Sequence, residues 1–477
     1  MLKILFQEPL ISRRIIYGRF EAGAGNNTFP YGIASIMQYI LDRGYNVKYL
    51  EPNIERMTLN EYKNYILNEN FDIICIGSTT LEIGKTIKNF EIIKKINPNI
   101  ITVLGGIHAT IMPKETLKET FFIDYLILGE GEKPFTSLLD CIKTNNLKEI
   151  KNIKGIAFRN KNKIIVNPPD YKNMLCIKEL PTPAYSLFPM KKYVSQITFT
   201  KRFPSYSIVA SRGCVFNCAF CNATDIFGKK VRYKEVDRVI GEILTLKKEY
   251  GAKGILFLDS TFTVNKEWIK EFCEKYIESK INLPWSCGSR VDTVNKNILK
   301  LMKKAGCWEI MYGVESANQK SLDILNKGTT VKQNTETLKL SMKLGFYTYA
   351  SYIICLPGET KYDALNTIKY AKKIGTPAAI FYLPIPFPKT ELWNICKENG
   401  ILREDTEWED FNSWDWKNPV YINPLIGKEK MKKLLDYAYY SYYLTPKVIY
   451  RNLKEIVLLK QDIKKYIYGI KAISSIK

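Results

Sequence analysis

Histidine is all but missing from this chain. A single residue, His108, serves 477 positions. Histidine-based general acid–base catalysis and a Ser-His-Asp triad therefore lack their central residue. Acidic side chains are also short: 48 Asp and Glu stand against 71 Lys and Arg, a net charge of +23. That sign favours anionic partners such as nucleic acid or phospholipid headgroups, although the lysines are spread along the chain and form no blocks. No uncharged run approaches the ~20 residues that a membrane-spanning helix needs. The opening MLKILFQEPL has no small-residue cleavage site after its apolar run and reads as a first strand. Eleven cysteines form an odd, mostly isolated set. They do not make a disulfide framework, and a reducing cytoplasm is the expected location.

What the chain does have is strand–helix alternation. LKILF (2–6), NVKYL (46–50), DIICIG (72–77), ITVLGG (101–106) and DYLILGEGE (124–132) read as strands. Helical stretches such as 32–44 and 84–96 lie between them, which predicts an α/β, doubly wound parallel sheet over residues 1–145. Residues 146–203 read as a linker containing a hairpin that turns near Asn160–Lys163. Alternation resumes over 204–395, where six strand–helix units predict a partial βα barrel with its chemistry at the carboxyl ends of the strands. Residues 396–477 read as mostly helical, rich in Tyr and Lys.

The densest chemistry lies in GCVFNCAFC (213–221), directly after a predicted strand. Cys214, Cys218 and Cys221 supply three thiols and no fourth ligand. A structural zinc site wants four donors, but the chain's single histidine, His108, lies far upstream and the next cysteine after the loop is Cys273. A disulfide would use two thiols and strand the third. An iron–sulfur cluster with three protein thiolates fits the count, because one iron stays open for an exogenous ligand.

This loop resembles the C-x3-C-x-aromatic-C signature of radical S-adenosylmethionine (SAM) enzymes, with Phe220 as the aromatic residue. The resemblance implies a [4Fe-4S] cluster whose open iron chelates SAM, and one-electron cleavage of SAM to a 5′-deoxyadenosyl radical. The hard chemistry then belongs to the cofactors, and the protein supplies orientation and exclusion of water. Further stretches resemble the same family. FLDSTFTVN (257–265) implies Asp259 beside the SAM amino group, GSRVD (288–292) implies Arg290 on its carboxylate, and YGVES (312–316) implies Glu315 on the ribose. CLPGET (355–360) implies Pro357 beside the adenine. In PIPFPKTELW (384–393), Pro388–Lys389 precedes Thr390 where the family has Pro-Gly-Thr.

The front domain resembles the cobalamin-binding domain fused to many of these enzymes. The matching residues are Ser78 and Thr79, Gly105, Gly106 and His108, and Gly129, Glu130 and Gly131. No histidine precedes Ser78, so a bound cobalamin would meet no histidine on its lower face. The combined resemblance implies methylation of an unactivated carbon on a small-molecule or lipid-like substrate. Flavodoxin or ferredoxin would supply electrons, and nucleic acid would have no part. Other radical chemistry, a rearrangement, cyclisation or oxidation, is the first alternative, and a non-catalytic cofactor carrier is the second. Relatives that methylthiolate tRNA carry three further cysteines in front, whereas residues 1–140 hold only Cys75.

The tail is the remaining signal. From Lys447 to Lys477 there are eight Lys or Arg and two acids. Ile449, Leu453, Ile456, Val457, Ile463, Ile467 and Ile470 recur near helical spacing. Such a helix either lies at the inner face of a membrane or closes the barrel with its lysines in water.

Overall fold

The computed structural model describes residues 2–11, 28–193, 200–412 and 418–459, with side chains up to 454. Two sheets dominate it. The first has seven strands in the order β2-β1-β3-β4-β5-β6-β7. β1 (Lys3–Gln7), β2 (Asn46–Leu50), β3 (Ile73–Gly77), β4 (Ile101–Gly105) and β5 (Tyr125–Ile127) run parallel. Their near-continuous Ile, Val and Leu content suits a sheet with helices on both faces. The order reverses between β1 and β3, which opens a crevice at the carboxyl ends of those strands.

The hairpin read as part of a linker joins this sheet. β6 (Ile156–Asn160) pairs antiparallel with β5, and β7 (Lys163–Asn167) pairs with β6. It covers the edge that β5 would otherwise leave open.

The second sheet is the predicted partial barrel. Its strands are β8 (Ser205–Ile208), β11 (Gly254–Phe257), β12 (Trp285–Ser289), β13 (Cys307–Glu315), β14 (Tyr347–Ile353) and β15 (Ala378–Tyr382). All six are parallel and adjacent in that order, and β8 and β15 form its two edges. A two-stranded ribbon, β9 (Ser211–Arg212) with β10 (Arg232–Tyr233), flanks the cysteine loop. The helices are started by side-chain caps: Asn265, Asn295, Thr330 and Thr360 each accept from a backbone N–H in the first turn. The barrel core packs Trp285 against Phe257, Phe262 and Phe272, with ring centres 5.5–5.6 Å apart.

After the barrel, helices span Glu391–Glu398, Lys428–Tyr443 and Pro446–Leu459. The middle one lies on β15: the Tyr439 and Tyr443 hydroxyls donate to the carbonyls of Phe381 and Ala379 at 3.0 and 2.7 Å. Asn423, fully buried, donates to the carbonyls of Leu356 and Glu359 at 2.8 and 2.9 Å. The C-terminal region thus pins the loop that follows β14. Ile463, Ile467 and Ile470 lie outside the described residues. No helix among the described residues is long and apolar enough to cross a membrane. Replacing Asn423 with Ala leaves buried carbonyls unsatisfied and should cost about 1–3 kcal/mol, measured as a lower urea midpoint at unchanged slope.

Candidate active site

The carboxyl ends of both sheets open into one cavity of about 420 Å³. Gly77, Gly105, Gly129 and Gly131 contribute wall from the first sheet, and Val209, Arg212 and Leu258 from the barrel side. The glycines keep side chains out of this space. A Cβ on Gly105 would stand in open space, and one on Gly131 would strike Ile36 at 2.6 Å. Gly106, at φ 93°, lies so close to Ser78 that a Cβ would meet its carbonyl oxygen at 2.7 Å. The lining is largely apolar (Phe6, Ile33, Ile36, Val103, Phe135). Such a cradle suits a broad, flat group held by shape and backbone, as a cobalamin is, and needs no ligating side chain.

Of the residues read from the sequence for this cofactor, Gly105, Gly106, Gly129, Glu130 and Gly131 line the cavity, whereas Ser78, Thr79 and His108 are not among its lining residues. Ser78 is buried and ties the strand ends together: its N–H donates to the Gly105 carbonyl at 3.1 Å and its carbonyl accepts from His108 N–H at 3.2 Å. Thr79 is exposed and bonds Glu82 at 2.7 Å. His108 is fully buried with its ring edge-on to Trp408 at 4.8 Å, and desolvation lowers its pKa to about 4, so it is neutral at pH 7.

The cysteine loop stands beside the cavity. Gly213 (φ 109°) starts it where a Cβ would lie 2.3 Å from the Lys230 carbonyl oxygen. Ala219, directly after Cys218, is bracketed by bonds to Leu325 (2.8 Å) and Leu392 (2.7 Å). Leu392 follows the segment that departs from Pro-Gly-Thr. There Lys389 takes φ 62°, a left-handed conformation more usual for glycine, and Thr390 caps the next helix. The chain keeps its turn despite the substitution.

The three thiols feel one another. Burial is the main influence raising the Cys221 pKa, with Cys218 and Cys214 adding to it. Cys218 is likewise raised by burial, while Lys327 and Arg290 pull it down. Among the described residues no group of three His, Cys, Asp or Glu is gathered for a single metal ion. Cys214, Cys218 and Cys221 share one loop beside the cations Lys327 and Arg290, which would balance the charge of an anionic cluster held there.

Arg290 is held from three sides. Its Nε and Nη2 bond both oxygens of Asp292 at 2.9 and 2.8 Å, and Nη2 also donates to the Lys327 carbonyl. Nη1 reaches Cys218 Sγ at 3.5 Å, and the guanidinium lies 3.7 Å from the Phe216 ring centre. Glu315 ends β13 at φ 64° and pairs with Lys327 Nζ at 2.8 Å. Gly313 makes room for that pair, since a Cβ there would fall 2.4 Å from Glu315 Oε1. Phe220 packs with Leu325, Ile353 and Leu356, next to the buried Pro357. Asp259 is buried and turned to the start of the loop, accepting from Ala210 N–H at 3.1 Å and from Ser211 Oγ. Burial raises its pKa to about 6.

Sequence reading passed over the contacts that join the two sheets. Arg212, two residues before Cys214, donates to Glu132 Oε1 at 2.7 Å and to Ser35 Oγ at 3.2 Å, and lies 3.4 Å from Glu130. Arg232 completes the cluster on Glu130. Burial opposes the charge on Arg212, yet the two carboxylates hold its pKa above the ordinary value. Burial would raise Glu132, but Arg212 and Ser35 hold it below the usual carboxylate range. Lys327, Asp292 and Phe216 were missed as well. Only LGEGE, at a strand end, hinted that carboxylates gather here.

Residues 208–371 match the family model of the radical SAM superfamily, and residues 22–139 match that of the B12 binding domain. The chain is 34% identical over 426 residues to an uncharacterized methyltransferase of Pyrococcus horikoshii, spanning 89% of this chain and 90% of that one. It is 28% identical to the anaerobic magnesium-protoporphyrin IX monomethyl ester cyclase of Rubrivivax gelatinosus, over 92% of this chain and 77% of the relative. Among solved structures, the radical SAM methyltransferase TsrM of Kitasatospora setae, with cobalamin and a [4Fe-4S] cluster, aligns with TM-score 0.72 at 16% identity, over 92% and 89% of the two chains. The cobalamin-dependent radical enzyme OxsB aligns with TM-score 0.67 at 16% identity, over 88% and 58%. These two likenesses show the shared fold.

Glu132→Ala leaves the Arg212 charge almost buried with reduced compensation and should cost about 3–5 kcal/mol in urea unfolding. The joint replacement Glu132→Gln with Arg212→Met should cost less than the single change. Because the Glu132 pKa is depressed, its contribution is present above the ordinary carboxylate pKa and is lost as pH falls below that range. The difference between wild type and Glu132→Gln should therefore be flat from about pH 5 to 8 and shrink below about pH 4.

Proposed function

Since the chain belongs to the radical SAM superfamily, in the group that carries a B12-binding domain, we propose that it is a cobalamin-dependent methyltransferase acting on an unactivated carbon of a small-molecule or lipid-like substrate. The observation that carries this reading is the single cavity into which the carboxyl ends of both sheets open, with the cysteine loop at its side.

Cys214, Cys218 and Cys221 would hold the [4Fe-4S] cluster and the glycine cradle the cobalamin; when bound, the first supplies single electrons to SAM and the second carries a methyl group. The chain's own residues orient SAM. Arg290, fixed by Asp292, presents a guanidinium for the SAM carboxylate without having to order itself at that moment. Glu315 and Lys327 neutralise each other in a buried pair, and Glu315 is the carboxylate suited to the ribose hydroxyls. Phe220 and Pro357 supply apolar surface for the adenine. Asp259 supports the start of the cysteine loop through Ala210 and Ser211, and from there serves the SAM amino group. The apolar lining keeps water from a reactive radical. An external one-electron donor such as flavodoxin or ferredoxin, and a cytoplasmic location, belong to the same reading.

Likeness to the R. gelatinosus cyclase favours one second reading, a radical cyclisation or oxidation without methyl transfer. Turnover with SAM labelled in its methyl group separates the two. Methyl transfer consumes one SAM to S-adenosylhomocysteine and a second to 5′-deoxyadenosine and methionine, and the label appears in the product. Unlabelled product with 5′-deoxyadenosine alone would establish the second reading. Absence of 5′-deoxyadenosine under every reductant would overturn both. Serine at any of the three loop cysteines should abolish SAM cleavage and the iron–sulfur absorbance together.

A further inference from the structure

Over residues 446–454, whose side chains are described, the helix Pro446–Leu459 is built inside out. Its inward face is mostly polar. Arg451 donates to the carbonyls of Ile374 (3.1 Å) and Gly375, Asn452 to Pro377 at 3.0 Å, and Lys447 to Lys373 at 2.7 Å. These carbonyls lie at the end of the helix Lys361–Ile374 and just beyond it, where cations and donors are favoured. Val448 is the one apolar side chain of the helix that is fully buried among those described. The outward face carries Ile449, Tyr450 and Leu453, which are 42%, 67% and 55% exposed, and Leu444 just before the helix is 68% exposed. An amphipathic helix docked on a barrel in water has the opposite arrangement. Its polar residues are committed to helix-end carbonyls, so the apolar stripe is left facing away from the protein. Of the two arrangements open to such a helix, closing the barrel would bury Ile449 and Leu453, yet both are exposed, as are Lys447 and Lys454.

Charge selects what covers this stripe. Lys339, Lys373 and Lys454 are exposed near it. Lys447 sits near enough to Arg451 and Lys339 for their charges to add to burial in lowering its pKa. Residues 460–477 add five lysines and one acid. Surfaces of like charge repel each other, so a second copy of this face is no complementary cover. A surface that is apolar within and anionic at its boundary is complementary to both features.

We propose that this helix seats the enzyme on an anionic phospholipid surface, with Leu444, Ile449, Tyr450 and Leu453 entering the headgroup region and the surrounding lysines on the phosphates. The contact is peripheral, and it leaves the cavity between the sheets untouched.

The test is co-sedimentation of the full chain with vesicles of phosphatidylcholine alone and of phosphatidylcholine mixed with phosphatidylglycerol. Wild type should bind the mixed vesicles, bind the neutral ones far less, and be released by salt. The triple variant Ile449→Gln, Tyr450→Gln, Leu453→Gln should lose roughly tenfold or more of that affinity with unchanged thermal melting and unchanged SAM cleavage. Lys339→Gln with Lys454→Gln should weaken binding to mixed vesicles only. Equal binding of wild type and triple variant, or no binding by wild type, overturns the proposal. A lower melting temperature of the triple variant also overturns it, by showing that the chain's own residues cover the stripe. A concentration-dependent dimer that the triple variant abolishes in analytical ultracentrifugation overturns it in favour of a second copy.

Discussion

Two carboxylates from the turn between β5 and its helix and two guanidiniums from the ribbon beside the cysteine loop meet at a seam that water scarcely reaches. The side chains of Glu130, Glu132, Arg212 and Arg232 are 8%, 2%, 10% and 12% exposed. Taking four charges out of water is expensive, and their mutual attraction roughly offsets it. What the cluster contributes is register. Glu130 and Glu132 stand where β5 runs into its helix, beside the glycines of the cavity. Arg212 stands two residues before the first loop cysteine. Fixing these groups to one another fixes the glycine cradle against the cysteine loop, and the site depends on that relation. Ser35 shares the same carboxylate, so the helix Tyr31–Leu41 is drawn into the same arrangement.

The same strategy recurs one layer out. Lys234 and Glu242 form a second buried pair at 2.8 Å, and Glu242 accepts from Tyr31 and Tyr185 at 2.8 and 2.6 Å. Tyr31 belongs to the first domain and also lines the cavity. A charged network thus runs between the two domains. It specifies one relative position more sharply than a greasy interface does, because each displaced charge would be left uncompensated.

Local chemistry was readable in the chain. The alternation of apolar strands with helical stretches gave the layered α/β architecture, and the spacing of Cys214, Cys218 and Cys221 gave the kind of site. The strand-end residues Arg290 and Glu315 are both buried beside the loop. Long-range pairing was not readable. Arg212 and Glu132 lie 80 residues apart with nothing local to link them. Lys327 meets Glu315 only because the chain returns to the end of β13. The hairpin Ile156–Asn167 was recognised as a hairpin, but the edge it would cover was not. At the last helix periodicity was legible but direction was not, since direction depends on carbonyls contributed by a helix about 75 residues earlier.

The central claim is that the two proposed cofactor sites, the glycine-lined cavity and the cysteine loop beside it, are held in fixed proximity. Electron paramagnetic resonance of protein carrying both a reduced cluster and cobalt(II) cobalamin tests it most directly. Each centre bears an unpaired electron, and two such spins facing the same space broaden each other's signals. The account predicts that the doubly loaded spectrum shows this coupling and that Glu132→Gln with Arg212→Met weakens it. A doubly loaded spectrum equal to the sum of the two singly loaded ones would contradict it.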